Sequence, residues 1–184
     1  MSIVLVGSTS GSVTLQEPAV AGTTVLTLPA VSGNVLTDTS PKAGNVIQVV
    51  NATYSTQTTS GSSTYADTGL TATITPTSIT SKILVLASQN GNLVTGYGTG
   101  TAIQFRLLRG ASVIAFLEEL NSYQGDGSGI GRGGGSTCIS YLDSPATTSA
   151  TTYKTQFANR APSGTMYIQF SGSVSSMTLM EIAA

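Results

Sequence analysis

From about residue 44 onward, apolar and polar residues alternate in runs separated by Gly, Ser, Thr, Asn and Pro. A period of two is the pattern of strands with one face buried, and turn residues between them mark a sandwich or barrel. The alternation predicts strands at 44–54, 69–75, 82–89, 101–109, 112–120, 136–143, 151–159, 165–171 and 177–182. Ala111–Leu120 has a helix-like composition, but Val113, Ile114 and Phe116 after the Arg109-Gly110 turn favour a hairpin strand. In such a strand Glu118 and Glu119 point to opposite faces. The Gly-rich stretch Gly125–Gly135 reads as a protruding loop.

The first forty residues differ. They read as short strands at 3–6, 13–15, 24–28 and 34–36, broken by Gly and Pro, with no Lys or Arg before Lys42. A faint repeat links Pro18-Ala19-Val20-Ala21-Gly22 to Pro29-Ala30-Val31-Ser32-Gly33. Short hairpins are marginal alone in water, so this segment needs a surface to lean on. The expected architecture is all-β: an N-terminal extended β arm over residues 1–43, serving attachment or oligomerisation, then a jelly-roll-like β-sandwich over residues 44–184.

Composition sharpens the picture. Only 8% of the 184 residues are charged, against roughly a quarter in an average soluble protein. The surface must therefore be solvated by hydroxyls and backbone. With 40% hydrophobic residues, many of them β-branched, the chain should fold. The seven basic residues are scattered, which argues against a nucleic-acid partner. A net charge of −1 leaves little self-repulsion between closely packed copies. No apolar run approaches the roughly 20 residues that span a bilayer, and the N-terminus lacks a signal peptide's basic region and apolar core, so neither a membrane nor export is expected.

Several stretches occur in a particular order: Gly69-Leu70-Thr71-Ala72-Thr73-Ile74-Thr75-Pro76, Ser81-Lys82-Ile83-Leu84-Val85, Phe105-Arg106-Leu107-Leu108-Arg109-Gly110, Leu142-Asp143-Ser144-Pro145 with Thr151-Thr152-Tyr153, and Leu179-Met180-Glu181-Ile182. In this order the chain resembles C-terminal modules of tailed-bacteriophage virion surface proteins, both head-decoration or cement proteins and short tail fibres. The run from Gly11-Ser12-Val13-Thr14-Leu15 to Pro29 and Gly33 is similar to the arms that precede such modules. The resemblance implies a homotrimer of tumour-necrosis-factor-like jelly rolls. The arm leads almost directly into the sandwich, with no long shaft, which favours a compact capsid decoration protein over a fibre.

The chemistry points the same way. With no histidine, the usual general base and the commonest metal ligand are missing, and a lone Cys138, expected as a small buried thiol, allows no internal disulfide. The eight acidic residues are spread out, so paired-carboxylate hydrolysis is disfavoured, and no catalytic group, cofactor or metal is expected. Asp126 and Asp143 are the acids that might be offered to Ca²⁺, yet both read more simply as loop and turn residues. The GxGxxG match at Gly129–Gly134 opens no helix and carries no phosphate reading. Glu181, in an apolar strand, is expected to be buried and paired with Arg106 or Arg109. Tyr97, Tyr123 and Arg132, in Gly-rich loops, are candidate contact residues. The expected function is a non-enzymatic virion protein on the phage head. It would partner itself and the major capsid protein; the alternative is a tail protein bound to a tail adaptor and a host-surface glycan.

Overall fold

A computed structural model describes residues 3–6, 8–15, 42–96, 100–121, 133–161 and 164–184. The chain divides into two compact units, Met1–Val35 and Leu36–Ala184. In the first, strands β1 (Ile3–Val6) and β2 (Ser12–Leu15) form an antiparallel hairpin in which Ile3 faces Leu15 and Val6 faces Ser12. Val4, Leu5 and Val6 are 55%, 56% and 81% exposed, so these three side chains lie open on both faces of the strand. The expected strands at 24–28 and 34–36 lie outside the described residues.

The second unit is an antiparallel β-sandwich. Its strands are β3 (Val46–Tyr54), β4 (Thr58–Ser60), β5 (Ala66–Ile74), β6 (Lys82–Thr95), β7 (Ile103–Arg109), β8 (Ser112–Asn121), β9 (Gly133–Asp143), β10 (Thr151–Asn159), β11 (Thr165–Ile168) and β12 (Ser175–Ile182). One sheet has the order β5-β10-β7-β8. In the other, β6 pairs β9 along one edge; along its opposite edge it pairs first β12, flanked by β3, and then β11, flanked by β4. The pairs β3/β12, β5/β10, β6/β9 and β7/β8 are nested, as in one long hairpin whose two arms are wound up together.

Two local devices shape the sheets. Opposite Thr155 of β10, strand β5 accommodates Thr68, Gly69 and Leu70, and its period-two alternation runs on through this bulge, with Thr68 and Leu70 both inward. Gly69 adopts φ 90°, and the Tyr54 ring lies where its side chain would be: a Cβ there would sit 2.2 Å from Tyr54 Cε1. In β6, Asn90 and Gly91 form a bulge opposite β9, which lets the strand change partner from β12 to β11. The bulge also explains why the expected strand end at Gln89 is overrun: β6 continues to Thr95 and recruits Gly133, Gly134 and Gly135, which pair with Val94, Leu93 and Asn92 rather than joining a loop.

Alternation along each strand fills two apolar clusters between the sheets. One centres on Leu70, Ile74, Val85, Leu107, Tyr153 and Leu179; the other on Val94, Ile103, Phe105, Phe157, Met166 and Ile168. A belt of buried polar groups also spans the gap between the sheets. Gln89 Nε2 donates to Thr68 Oγ1 and Thr155 Oγ1, both at 3.1 Å, and the two hydroxyls bond each other at 2.6 Å. On the other side Gln169 Nε2 reaches Gln89 Oε1 at 3.3 Å and Ser175 Oγ at 3.1 Å. Such a network is costly when half-satisfied, so it favours one register of β5, β6, β10 and β12 over a slipped one.

Candidate functional site

Two buried carboxylates, Glu181 and Asp143, are held by hydrogen-bond donors at the ends of the sandwich. The inward register of β12 carries Ser175, Met177 and Leu179 to the core and therefore Glu181 as well, which is fully buried. Its Oε1 accepts the backbone N–H and the hydroxyl of Thr77, both at 2.7 Å, and its Oε2 accepts Gln48 Nε2 at 2.5 Å. Gln48 Nε2 also donates to the Thr75 carbonyl at 2.7 Å, which fixes the amide's orientation. Burial alone would raise the Glu181 pKa, but Gln48, the nearby Ser81 hydroxyl and Thr77 outweigh it and hold the carboxyl below the ordinary value of 4.5. Neutral donors thus do what an arginine was expected to do.

The two arginines are engaged elsewhere. Arg109 Nη1 lies 2.9 Å from both oxygens of Asp143, and Tyr153, fully buried, donates its hydroxyl to Asp143 Oδ2 at 2.6 Å. Burial and this carboxylate push the Tyr153 pKa well up. Asp143, read from the sequence as a turn residue or a Ca²⁺ ligand, is instead the hub that ties β7, β9 and β10 together across the two sheets. Its inward position continues the register of Thr137, Ile139 and Tyr141, the signal that locates it.

Arg106 lies on the outer face of the four-stranded sheet, its guanidinium 3.8 Å from the centre of the Tyr65 ring and bonded to Gln156 Oε1. Gln156 in turn donates to Asp67, which also meets Lys154 at 2.9 Å. Burial works against ionisation of Asp67, but these two donors lower its pKa.

Substituting Glu181 by Gln places an amide group against a donor and is expected to lower stability by about 1–3 kcal/mol at neutral pH. Folding lowers this carboxyl's pKa, so its contribution is complete above 4.5 and fades as the pH falls below it. Thermal melts of the wild type and Glu181→Gln across that range should converge in acid; a gap that stays constant would show that the carboxylate is not the stabilising form.

Among the described residues, no group of three or more His, Cys, Asp or Glu could hold a metal ion. Tyr97, Tyr123 and Arg132, the expected loop contacts, lie outside the described residues, as does Asp126.

No protein-family model and no curated protein matches the chain. Among solved structures, it is similar to the infectious bursal disease virus VP2 subviral particle, with 12% identity, a TM-score of 0.39, and coverage of 74% of this chain and 37% of that one. It is also similar to T=1 particles derived from infectious bursal virus, with 13% identity, a TM-score of 0.37, and coverage of 95% of this chain and 43% of that one. This chain thus spans less than half the length of the structures it matches. Similarity at this level assigns it neither a family nor a role.

What distinguishes the sandwich is the contrast between its two outer faces. The outer face of the four-stranded sheet carries the chain of charges from Arg106 to Lys154. The opposite outer face, formed by β3, β12, β6 and β9, presents rows aligned by the strand registers: Val49, Met180, Leu84, Leu142; then Asn51, Thr178, Leu86, Ser140; then Thr53, Ser176, Ser88, Cys138. No residue of these rows is charged. Val49 and Leu142 are 56% and 52% exposed. Cys138 belongs to this face and is exposed, not buried as expected, because β9 turns Thr137 and Ile139 inward and Cys138 outward.

Proposed function

We propose that this chain is a non-enzymatic structural protein of a bacteriophage particle. In this reading it is a homotrimer that decorates and cements the capsid, seated on the major capsid protein through residues 1–43. The observation that carries it is the hairpin of the first unit, whose consecutive exposed Val4, Leu5 and Val6 leave apolar surface on both faces of one strand. Such a strand is suited to insertion between other chains or against a shell, where its faces and edges are covered. The nested strand pairs, which we read as a jelly roll, the hydroxyl-rich surface and the resemblance to phage surface modules support the same role.

The chemistry is adhesion without turnover. Each arm adds a modest contact, and linking the arms through one oligomer makes them act together, so avidity exceeds any single contact. Quantitative mass spectrometry of purified particles tests this: hundreds of copies, near the abundance of the major capsid protein, are expected. A handful of copies would move the chain to the tail and its loops to host-glycan recognition. Absence from particles would end the virion reading altogether.

A further inference from the structure

We infer that the outer face of the four-stranded sheet is a binding site for a carboxylate-bearing sugar chain, centred on Arg106. This goes beyond the shell role proposed above and does not depend on it. The strand registers set Asp67, Gln156, Arg106 and Phe116 opposite one another in a single row, from β5 across β10 and β7 to β8. At about 4.8 Å per strand the row is roughly 15 Å long. Phe116, at one end, is 55% exposed beside the guanidinium. At the other end, where β5 bulges, lies a cavity of about 140 Å³ lined by Asp67, Gly69, Leu70, Thr71 and Lys154. It is smaller than a pocket for a whole ligand and takes one substituent of a larger one.

The ligand class follows from the hydrogen-bonding capacity that the row keeps in reserve. A guanidinium carries five N–H donors and an ammonium three. Arg106 spends Nε and one N–H of Nη2 on Gln156 Oε1, and Lys154 spends one N–H on Asp67 Oδ2, so donors remain in excess. Among the described residues no carboxylate lies within ion-pair distance of Arg106; its partners are a neutral amide and, at 3.8 Å, the Tyr65 ring. The relay from Lys154 through Asp67 to Gln156 fixes the guanidinium plane, the preorganisation that recognition of a carboxylate needs. The neighbouring pair selects a sugar among anions. Asp67 accepts and Lys154 donates side by side, the complement of hydroxyls, which do both. A polyphosphate or nucleic-acid strand would set its charge against Asp67, whereas a sugar chain brings hydroxyls there, a carboxylate to Arg106 and an apolar ring face to Phe116.

The test titrates the purified full-length chain with trigalacturonate and with sialyllactose in a calorimeter. Binding of at least one is expected, weakened at least about tenfold in Arg106→Gln, as for loss of a hydrogen bond between charged groups, and less in Phe116→Ala. Methyl esterification of trigalacturonate removes its charge and should weaken it as much as Arg106→Gln does. No binding of either acidic sugar, equal binding of the ester, or unchanged affinity in a folded Arg106→Gln overturns the site. Inorganic phosphate that competes at the same concentration as the sugar also overturns it, marking a plain anion seat. Should Arg106→Gln misfold, amide chemical shifts of the wild type titrated with the same two sugars decide: changes centred on residues 65–71, 104–106, 115–117 and 154–156 support the site, and changes elsewhere overturn it. Because no particles are needed, lack of binding would remove the site while leaving the virion role standing, and absence from particles would do the reverse.

Discussion

Replacing Gly69 with alanine is expected to destabilise the sandwich by about 2–5 kcal/mol, the sum of two separate penalties. The first is conformational: φ 90° is open to glycine and costs an L-residue about 1–2 kcal/mol. The second is steric, since the new methyl would lie 2.2–2.3 Å from Cε1 and Cζ of Tyr54 and must push the ring from its seat, an overpacking worth about 1–3 kcal/mol. A fall in Tm of roughly 5–15 °C follows for a unit of this size. The two penalties can be separated by repeating the change in a Tyr54→Ala background, where only the conformational part should survive. Equal losses in both backgrounds would show that the ring is not the obstacle.

Asp143→Ala is expected to be comparably damaging, at about 3 kcal/mol. It strips the acceptor from the fully buried Tyr153 hydroxyl and leaves Arg109 without its carboxylate. The Arg109 side chain is 34% exposed and can recover water, so the loss should fall toward the lower end of the range for broken buried pairs. Asp143→Asn keeps the shape and one acceptor oxygen and should lose less. Urea titration distinguishes them: a shift in midpoint without a change in slope marks lost stability in an intact fold, and equal midpoints for all three chains would mean the hub is dispensable.

Much of this fold was legible from alternation alone. Strand β10 spans Thr151–Asn159 as expected, and β7, β8 and β12 differ from expectation by only a few residues at their ends; in β12, and along most of β7 and β10, every second side chain is buried. What escaped was set by partners distant in sequence. Strand β4 is three hydroxyl-bearing residues that extend only because β11 lies beside them. The expected strand ends at Gln89, yet pairing of Leu93 and Val94 on both edges, beyond the bulge at Asn90 and Gly91, carries β6 on to Thr95. Thr68, Gln89 and Thr155 hold inward register, but their polarity argues against burial until they are seen to satisfy one another across the sheets.

Of the anticipated sites, burial of Glu181 followed from its place in the apolar strand 177–182, in register with Met177 and Leu179, while its partners did not. Gln48 lies 133 residues away, and nothing in its local sequence marks it as the donor. The pairing of Arg109 with Asp143 was equally hidden, although the period-two series from Thr137 to Tyr141 already turned Asp143 inward.

The nested pairing also dictates the order in which the molecule can be made. Strand β12 lies inside its sheet, between β3 and β6, and Ala183 exchanges hydrogen bonds with Gly44 and Asn45 where the sandwich begins. During synthesis β3 and β6 therefore emerge from the ribosome long before the strand that must slot between them. Nearly 140 residues of chain separate the two halves of that closure, a separation of the kind that makes folding slow. Until Ser175–Ile182 appear, the growing chain exposes two unpaired strand edges, and its first folding hazard is association with a neighbouring nascent copy.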